Sequence, residues 1–277
     1  MIDSSEVSLA QRTGHALAEA LRHARAGDPF SADGRAPQFD DLLIDGVHHD
    51  QLPTSIDRAR LRAAQPALAL ALNTFLPWQG ASDQLPLAGW IGFDAAQFEV
   101  RCPTGLRGTP PHLDFLALRG EVAVAVTARC IEYLRRRKTA VSPSYDGLLG
   151  RTSGLGPWRR QLERLRREPD HHRHLDLGAL IKLALALGRT FPERPTRLLY
   201  LYWEPLNASE FAEFCQHRGE AAELVDAVAD ARVAVDALSF EELWCEWAAL
   251  AAPRWLGGHV ARLRARYSVA ITAGKPQ

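Results

Sequence analysis

Three residues between positions 114 and 129 have types and spacing suited to metal-dependent chemistry on phosphates. Asp114 stands at the start of the apolar run LDFLAL, and Thr127 and Arg129 follow a second apolar run, EVAVAV. Side chains alternate between the two faces of a strand, so residues two apart point the same way. An acid on one strand can therefore meet the side chains of residues 127 and 129 on its neighbour.

One chemistry compatible with an acid that faces the next strand is phosphodiester hydrolysis, in which Mg²⁺ lies beside the scissile phosphate. Mg²⁺ prefers oxygen ligands, usually one or two carboxylates completed by water and substrate oxygens. Asp114 supplies one carboxylate, but Thr127 offers only a neutral hydroxyl. Arg129 keeps a positive charge that could position a phosphate, but it cannot act as a base near neutral pH. If an ion binds here, Asp114 is the acid that would hold it, and a site with this single carboxylate would bind Mg²⁺ poorly.

In these features the chain resembles the PD-(D/E)XK nuclease superfamily, which has the restriction-endonuclease-like fold. The resemblance covers about residues 90–205: the strand FEVR, the strand bearing Asp114, EVAVAVTAR, the helix LDLGALIKLAL and the strand RLLYLYWEP. The segments RCPTGLRGTPPHLDFLA and CIEYL are similar to sequences of a bacterial branch of that superfamily. The resemblance implies that Asp114, Thr127 and Arg129 are catalytic motif positions, and that Thr127-Ala128-Arg129 stands where the family has Glu-x-Lys. The active-site motif is then degenerate.

A relocated acid would restore such a site, because metal geometry depends on position in space. The candidates are Glu99 on the first strand, Glu121 at the start of the third, and Glu132 shortly after Arg129, where it could also face solvent. If one of them completes the site, the chain is an Mg²⁺-dependent DNA endonuclease. Otherwise, it has no cofactor.

The remaining periodicity predicts further helices and strands around this motif. Apolar spacing predicts helices over 6–26, 56–75 and 174–189 and a strand over 196–205. The Gly, Ser and Pro content of residues 139–157 predicts a loop. Two later helices should begin at capping boxes formed by Asn207 with Glu210 and by Ser239 with Glu242.

This order of elements predicts an α/β fold, with a restriction-endonuclease-like central mixed sheet flanked by helices and with extra N- and C-terminal helices. We expect a single domain over residues 1–277, with a nuclease-like core over about 56–205 and a helical C-terminal extension over 206–277.

Composition excludes several classes of protein. The chain is 47% hydrophobic and 24% charged with zero net charge, which is typical of a soluble globular protein. The four cysteines form no CxxC pair, so a structural zinc site on cysteines is not expected. The apolar runs fall short of the ~20 residues that span a bilayer. We expect a cytoplasmic protein that does not enter the membrane.

Charge is unevenly distributed along the chain. Residues 129–167 contain eleven Arg and Lys against three Asp and Glu, whereas residues 204–246 contain two Arg against eleven acids. The basic segment predicts DNA binding through Arg135, Arg136, Arg137, Lys138, Arg159 and Arg160. The acidic C-terminal helices favour a protein partner. Two solvated helices of opposite sign would give the same charge pattern.

A histidine-rich segment and the function of the whole protein each allow more than one interpretation. The segment DHHRH at 170–174 has histidines, but their spacing is not that of a zinc helix, and we interpret it as a solvated helix start. For the whole protein, the alternative to an impaired nuclease is a catalytically silent protein-interaction scaffold on the same fold. An enzyme of unrelated chemistry in the same cleft has no specific support.

Overall fold

A computed structural model describes residues 8–24, 39–47, 52, 56, 66–135, 138–250 and 253–272. Its centre is an open mixed sheet of five strands in the order β1-β2-β3-β4-β5. The predicted α/β class is confirmed. The predicted residues 57–65 of the helix 56–75 lie outside the described part of the chain.

The first half of the sheet is antiparallel. It consists of β1 (Ala95–Arg101), β2 (His112–Arg119) and β3 (Val122–Arg129). Gly120 has a positive φ of 46° in the turn between β2 and β3, a conformation that glycine adopts without a Cβ penalty. The predicted hairpin is therefore present, with Arg119–Gly120 at its turn.

The second half is parallel. β4 (Thr196–Tyr202) pairs with β3, and β5 (Val233–Ser239) pairs with β4. The amino ends of the three parallel strands align at Ala123, Thr196 and Val233. The six inner residues of β3 are all buried, as expected for a strand covered on both faces.

Eight α-helices surround the sheet in the described residues. They are α1 (Leu9–Ala24), α2 (Pro66–Phe75), α3 (Ser144–Arg151), α4 (Gly156–Arg167), α5 (Leu177–Thr190), α6 (Ala212–Ala227), α7 (Phe240–Ala248) and α8 (Leu256–Tyr267). On one face, residues of α1, α2, α7 and α8 share a hydrophobic core with the sheet. On the other face, α3, α4, α5 and α6 form the second core. None of the described helices is long and apolar enough to cross a membrane.

Several local expectations are corrected by the structure. The predicted loop over 139–157 contains the helix α3, and the predicted helical extension over 206–277 contains the strand β5. Ser239 and Glu242 do form a capping box at α7. Asn207 precedes the 3-10 helix Ala208–Glu210, but its side chain caps no backbone N–H there. It bonds instead to the Glu210 carboxylate and to the backbone of Ile271, and α6 begins only at Ala212.

The segment 170–174 is not a solvated helix start. His172 and His174 are buried, and α5 begins at Leu177 with Asp176 as its N-cap. The Asp176 carboxylate accepts the N–H of Ala179 and also hydrogen bonds from the backbone and hydroxyl of Thr139. These contacts fix the start of α5 against the chain that leaves β3.

Candidate functional site

Asp114, Thr127 and Arg129 come together on one face of the sheet. The pairing of β2 with β3 includes Phe115 opposite Val126, and its continuation places Asp114 opposite Thr127. Directly opposed residues of antiparallel strands share a face, and Arg129 shares that face because it lies two residues beyond Thr127. This is the face covered by α3 to α6.

Asp114 is half-buried and lies in a charged environment. Its Oδ2 accepts the backbone N–H of Ala128 at 2.7 Å. Burial raises the pKa of Asp114 to about 6, and the neighbouring acids Glu99 and Glu132 act in the same direction. The Arg129 guanidinium and the hydrogen bond from Ala128 oppose this rise. A carboxyl group of this kind changes its charge close to neutral pH.

Thr127 and Arg129 contact each other rather than leaving space for an ion. Thr127 is buried, and its Oγ1 accepts a hydrogen bond from Arg129 Nη1 at 3.0 Å. The same nitrogen donates to the carbonyl of Ala128 at 2.6 Å. The guanidinium therefore lies along the end of β3, beside Asp114, where the family pattern implied a glutamate and a lysine.

Two of the three candidate relocated acids lie near Asp114. Glu99 lies on β1 between Phe98 and Val100, which pair with Phe115 and Leu113 of β2. It is therefore opposite Asp114 on the neighbouring strand. Its φ of 51° is rare for a residue with a side chain and is a type of backbone strain that clusters at functional sites. Its carboxylate is 3.6 Å from His112 Nδ1.

Glu132 approaches the site from the other side. Its Oε2 accepts the N–H of Cys130 at 2.6 Å, and its Oε1 is buried without a hydrogen-bond partner among the described residues. The alternative that Glu132 faces solvent is therefore wrong. Glu121 is exposed at the hairpin turn, at the far end of β2 from Asp114. It cannot complete the same site.

The donors around Asp114 do not fit an Mg²⁺ ion. The carboxylates of Glu99, Asp114 and Glu132 do not converge in the described structure as three metal ligands would. One oxygen of Asp114 is already bonded to Ala128, and the nearest charged group on β3 is the Arg129 guanidinium. Mg²⁺ needs near-octahedral oxygen ligation, which this arrangement does not provide.

A small cavity opens where β3 ends. It has a volume of about 170 Å³, and its walls include Arg129, Glu132, Lys138, Asp176 and Tyr200. Asp176 and Tyr200 were not predicted from the sequence to be site residues. The position of Asp176 before an apolar helix and that of Tyr200 in a strand parallel to β3 were the available signals. Two cations, Arg129 and Lys138, and two acids, Glu132 and Asp176, therefore line the same cavity.

Behind this cavity, the Tyr200 hydroxyl is 2.8 Å from Nε2 of His217. Burial, followed by the nearby charges of His174, Arg129 and Arg218, lowers the pKa of His217 to about 3. Burial likewise raises the pKa of Tyr200 above its ordinary value. The pair is therefore neutral at physiological pH, and Tyr200 contributes an uncharged part of the cavity wall.

The predicted DNA-binding residues are divided between the two ends of the sheet. Arg135 is exposed, and Lys138 forms an ion pair with Asp170 at 2.9 Å near the cavity. Arg136 and Arg137 lie outside the described residues.

Arg159 and Arg160 are exposed in the first turns of α4. The Trp158 indole beside them donates to the carbonyl of Val233, at the amino end of β5. The candidate site lies at the opposite end of the parallel strands, roughly 20 Å away for seven-residue strands. Arg159 and Arg160 are therefore not part of the cavity, and their role in DNA binding stays a prediction.

Part of the charge asymmetry is neutralised inside the protein. Arg164 of the basic helix α4 forms an ion pair with Glu223 of the acidic helix α6. Within the basic segment itself, Arg166 pairs with Asp146 of α3. The opposite charges of these segments therefore partly serve to hold adjacent helices together.

Comparison of the chain with protein-family models, with curated proteins and with solved structures finds no significant match. The resemblance to the PD-(D/E)XK superfamily accordingly stays a prediction from the motif positions and the order of elements.

Proposed function

We propose that the chain is a nuclease-related protein of restriction-endonuclease-like fold that binds DNA and has impaired or no Mg²⁺-dependent phosphodiester hydrolysis. The observation that carries this proposal is the position of Asp114 opposite Thr127, with Arg129 on the same face of the neighbouring strand. The antiparallel hairpin, the helix α5 and the parallel strand β4 follow in the order that the resemblance implies.

Impaired hydrolysis follows from the chemistry of the side chains. A hydrolytic site needs an ion to offset the charge on the phosphate and to lower the pKa of the attacking water. Thr127 adds no negative charge, and Arg129 offsets the charge of Asp114 that would otherwise attract a cation. Arg129 also stays protonated, so it cannot activate water.

Phosphate binding is the property that these residues retain. Arg129 and Lys138 both line the cavity at the end of β3, and guanidinium and ammonium groups are the usual partners of backbone phosphates. Lys138 can exchange its exposed partner Asp170 for a phosphate at little cost, because exposed ion pairs contribute little free energy.

The experiment is a fluorescence anisotropy titration of a labelled DNA duplex at several salt concentrations. Arg129→Gln and Lys138→Gln should each weaken binding and reduce the salt slope by about one. The double variant Arg159→Gln, Arg160→Gln removes two charges at the other end of the sheet and should have the smaller effect. Salt-independent binding, or no binding, would refute a DNA-binding role. A larger effect of the α4 pair would place the interface away from the cavity.

The alternative, a catalytically silent scaffold, is favoured by a groove at the carboxyl ends of β4 and β5. It has a volume of about 590 Å³ and is lined by Leu206, Trp244, Glu242 and Glu246, among other residues. Leu206 is 65% exposed at the edge of this groove. If the scaffold reading is right, Leu206→Ser should abolish a protein interaction while the Arg129→Gln variant retains it.

A further inference from the structure

Outside the candidate site, three metal-ligating side chains converge between the segment before α5 and the helix α6. Among the described residues, His171, His172 and Glu223 are the group whose donor atoms all lie within 4.8 Å of one another. Oε2 of Glu223 is 2.9 Å from His171 Nε2 and 3.9 Å from His172 Nε2. Both imidazoles therefore direct Nε2 toward the same carboxylate oxygen.

His172 provides an independent sign of a ligand. Its side chain is only 3% exposed, and Nε2 has no hydrogen-bond partner within the part of the chain that the structure describes. A buried polar atom without a partner is costly, so native structures rarely contain one unless a water or ion satisfies it. The orphaned nitrogen lies on the side of the ring that faces Glu223.

The two histidines are held in place by an acid one helical turn before Glu223. The buried carboxylate of Glu220 accepts the backbone N–H groups of Arg173, His174 and Leu175 at 2.7–2.8 Å. These three residues directly follow His172, so the segment is fixed against α6 with both imidazoles over Glu223. The donors are therefore positioned before any ion binds.

We infer that His171, His172 and Glu223 form a binding site for a divalent transition-metal ion, with Zn²⁺ as the best match. Two imidazoles and a carboxylate suit Zn²⁺, whereas Mg²⁺ and Ca²⁺ prefer all-oxygen sites. Tetrahedral Zn²⁺ with ligands at about 2.0–2.1 Å requires donor atoms about 3.3 Å apart. The observed separations of Glu223 Oε2 from the two imidazoles, 2.9 and 3.9 Å, lie on either side of that value. Water would take the fourth position.

A further carboxylate, that of Glu168, lies beside the ring nitrogen of His171 that faces away from Glu223. His171 Nδ1 is 3.6 Å from the carboxylate of Glu168. A carboxylate on the far nitrogen of a ligating histidine orients the ring and directs the lone pair of Nε2 toward the metal.

Arg164 is the group that an ion must displace. Its guanidinium pairs with Oε1 of Glu223, and its Nη2 lies 2.8 Å from His171 Nε2. The contact with Oε1 is compatible with a metal on Oε2, but the contact with His171 is not. Arg164 therefore lowers the affinity for the ion, and its removal should raise that affinity.

The site would join α4, the segment before α5 and α6, on the face of the sheet that also carries Asp114. It does not depend on the proposed nuclease-related function, since it shares no residue with the Asp114 site. Two of its three ligands, His171 and His172, lie in the DHHRH segment, which was predicted to be a solvated helix start.

The test is calorimetric titration of the metal-free full chain with Zn²⁺, together with the visible absorption spectrum of the Co²⁺ form. We expect one ion per chain and a tetrahedral Co²⁺ spectrum. His172→Ala and Glu223→Gln should each weaken binding at least about tenfold. Glu223 is 39% exposed, so the isosteric Glu223→Gln change keeps the fold, and thermal unfolding of the metal-free variants checks this.

Three further variants make the result specific. His15→Ala removes a surface histidine that also lies 3.8 Å from a glutamate, Glu19, but belongs to no three-ligand group among the described residues, and it should bind Zn²⁺ like the parent. Asp114→Asn should also bind like the parent, while Arg164→Gln should bind more tightly. The inference is wrong if the parent takes up no ion at 1:1, if His172→Ala and Glu223→Gln bind unchanged, or if Asp114→Asn removes the binding.

Discussion

The Asp114 carboxylate accepts the backbone N–H of Ala128 at 2.7 Å, so an acid on β2 bonds to the main chain of β3. The backbone pairing of these strands runs from Arg119–Val122 to Phe115–Val126. Just beyond the last pair, the side chain of Asp114 makes the hydrogen bond to β3. The two strands therefore begin to separate at the position where Thr127 and Arg129 project. A polar site is formed there without leaving the N–H of Ala128 unpaired.

The raised pKa of Asp114 makes stability depend on pH. Its folded-state pKa of about 6 lies above the ordinary value of 3.8, so the folded state holds the proton more tightly than the unfolded state. The contribution of this group to stability is thus lost as pH rises from about 4 to above 6. Asp114→Asn removes the ionisation and keeps an acceptor for Ala128. At pH 7 it should raise the free energy of unfolding by about 2–3 kcal/mol.

Urea unfolding of the parent and of Asp114→Asn at pH 4, 5.5 and 7.5 measures this difference. The gap between the two should be small at pH 4 and largest at pH 7.5. A gap that is independent of pH would show that Asp114 titrates normally in the folded protein.

Restoring the family pattern should restore catalysis. Thr127→Glu with Arg129→Lys supplies a second carboxylate opposite Asp114 and removes the guanidinium that lies beside it. We expect Mg²⁺- or Mn²⁺-dependent nicking of supercoiled plasmid DNA, which the parent lacks or shows only weakly.

The control adds Asp114→Asn to the double variant, and this triple variant should lose the nicking. A folded double variant that binds Mg²⁺ and leaves the plasmid intact would count against the placement of the motif.

Glu220 is expected to be a strong determinant of stability. Its buried carboxylate accepts three backbone N–H groups from residues 173–175, and charged acceptors make the stronger hydrogen bonds. Glu220→Gln replaces one acceptor oxygen by a donor and should cost about 2–3 kcal/mol. Asp226→Asn, an exposed change on the same helix, should be close to neutral. Equal denaturant midpoints for the two variants would contradict this role of Glu220.

Gly178 permits a close approach between α5 and the chain after β3. A Cβ at this position would lie 2.1 Å from the carbonyl oxygen of Thr139, which is a backbone atom that cannot move aside easily. Gly178→Ala should therefore destabilise the protein by about 2 kcal/mol or more.

The matched control is Gly219→Ala within α6, where a Cβ meets nothing within 4 Å. There, alanine should stabilise the helix by about 0.5–1 kcal/mol. Thermal unfolding of the two variants should shift in opposite directions. A shift in the same direction would mean that the approach to Thr139 relaxes at little cost.

Local pattern was sufficient to predict most of the sheet. The hairpin of β2 and β3 and the strand β4 were recognisable because their apolar runs are continuous and bounded by turn residues. The strand β5 was missed because Asp236 interrupts its apolar run. Asp236 lies 3.4 Å from Arg197 of β4, a partner that is 39 residues away in the chain. A local reading of the sequence cannot include such a contact.

The candidate site was predicted in its motif positions but not in its surroundings. Alternation along β3 sufficed to bring Thr127 and Arg129 to the face of Asp114. The burial of Glu132 Oε1 and the cavity wall formed by Tyr200 depend on how the chain turns after β3 and on the parallel pairing of β4. Neither has a local signature.

The sequence by itself determined the α/β class, the strands that carry Asp114, Thr127 and Arg129, and the capping box of Ser239, because each of these depends on residues close together in the chain. The tertiary structure alone decided which acids surround Asp114 and that His172 is buried against Glu223. The physical reason is that charge and burial at these points come from elements that are distant in sequence, and only folding brings those elements into contact.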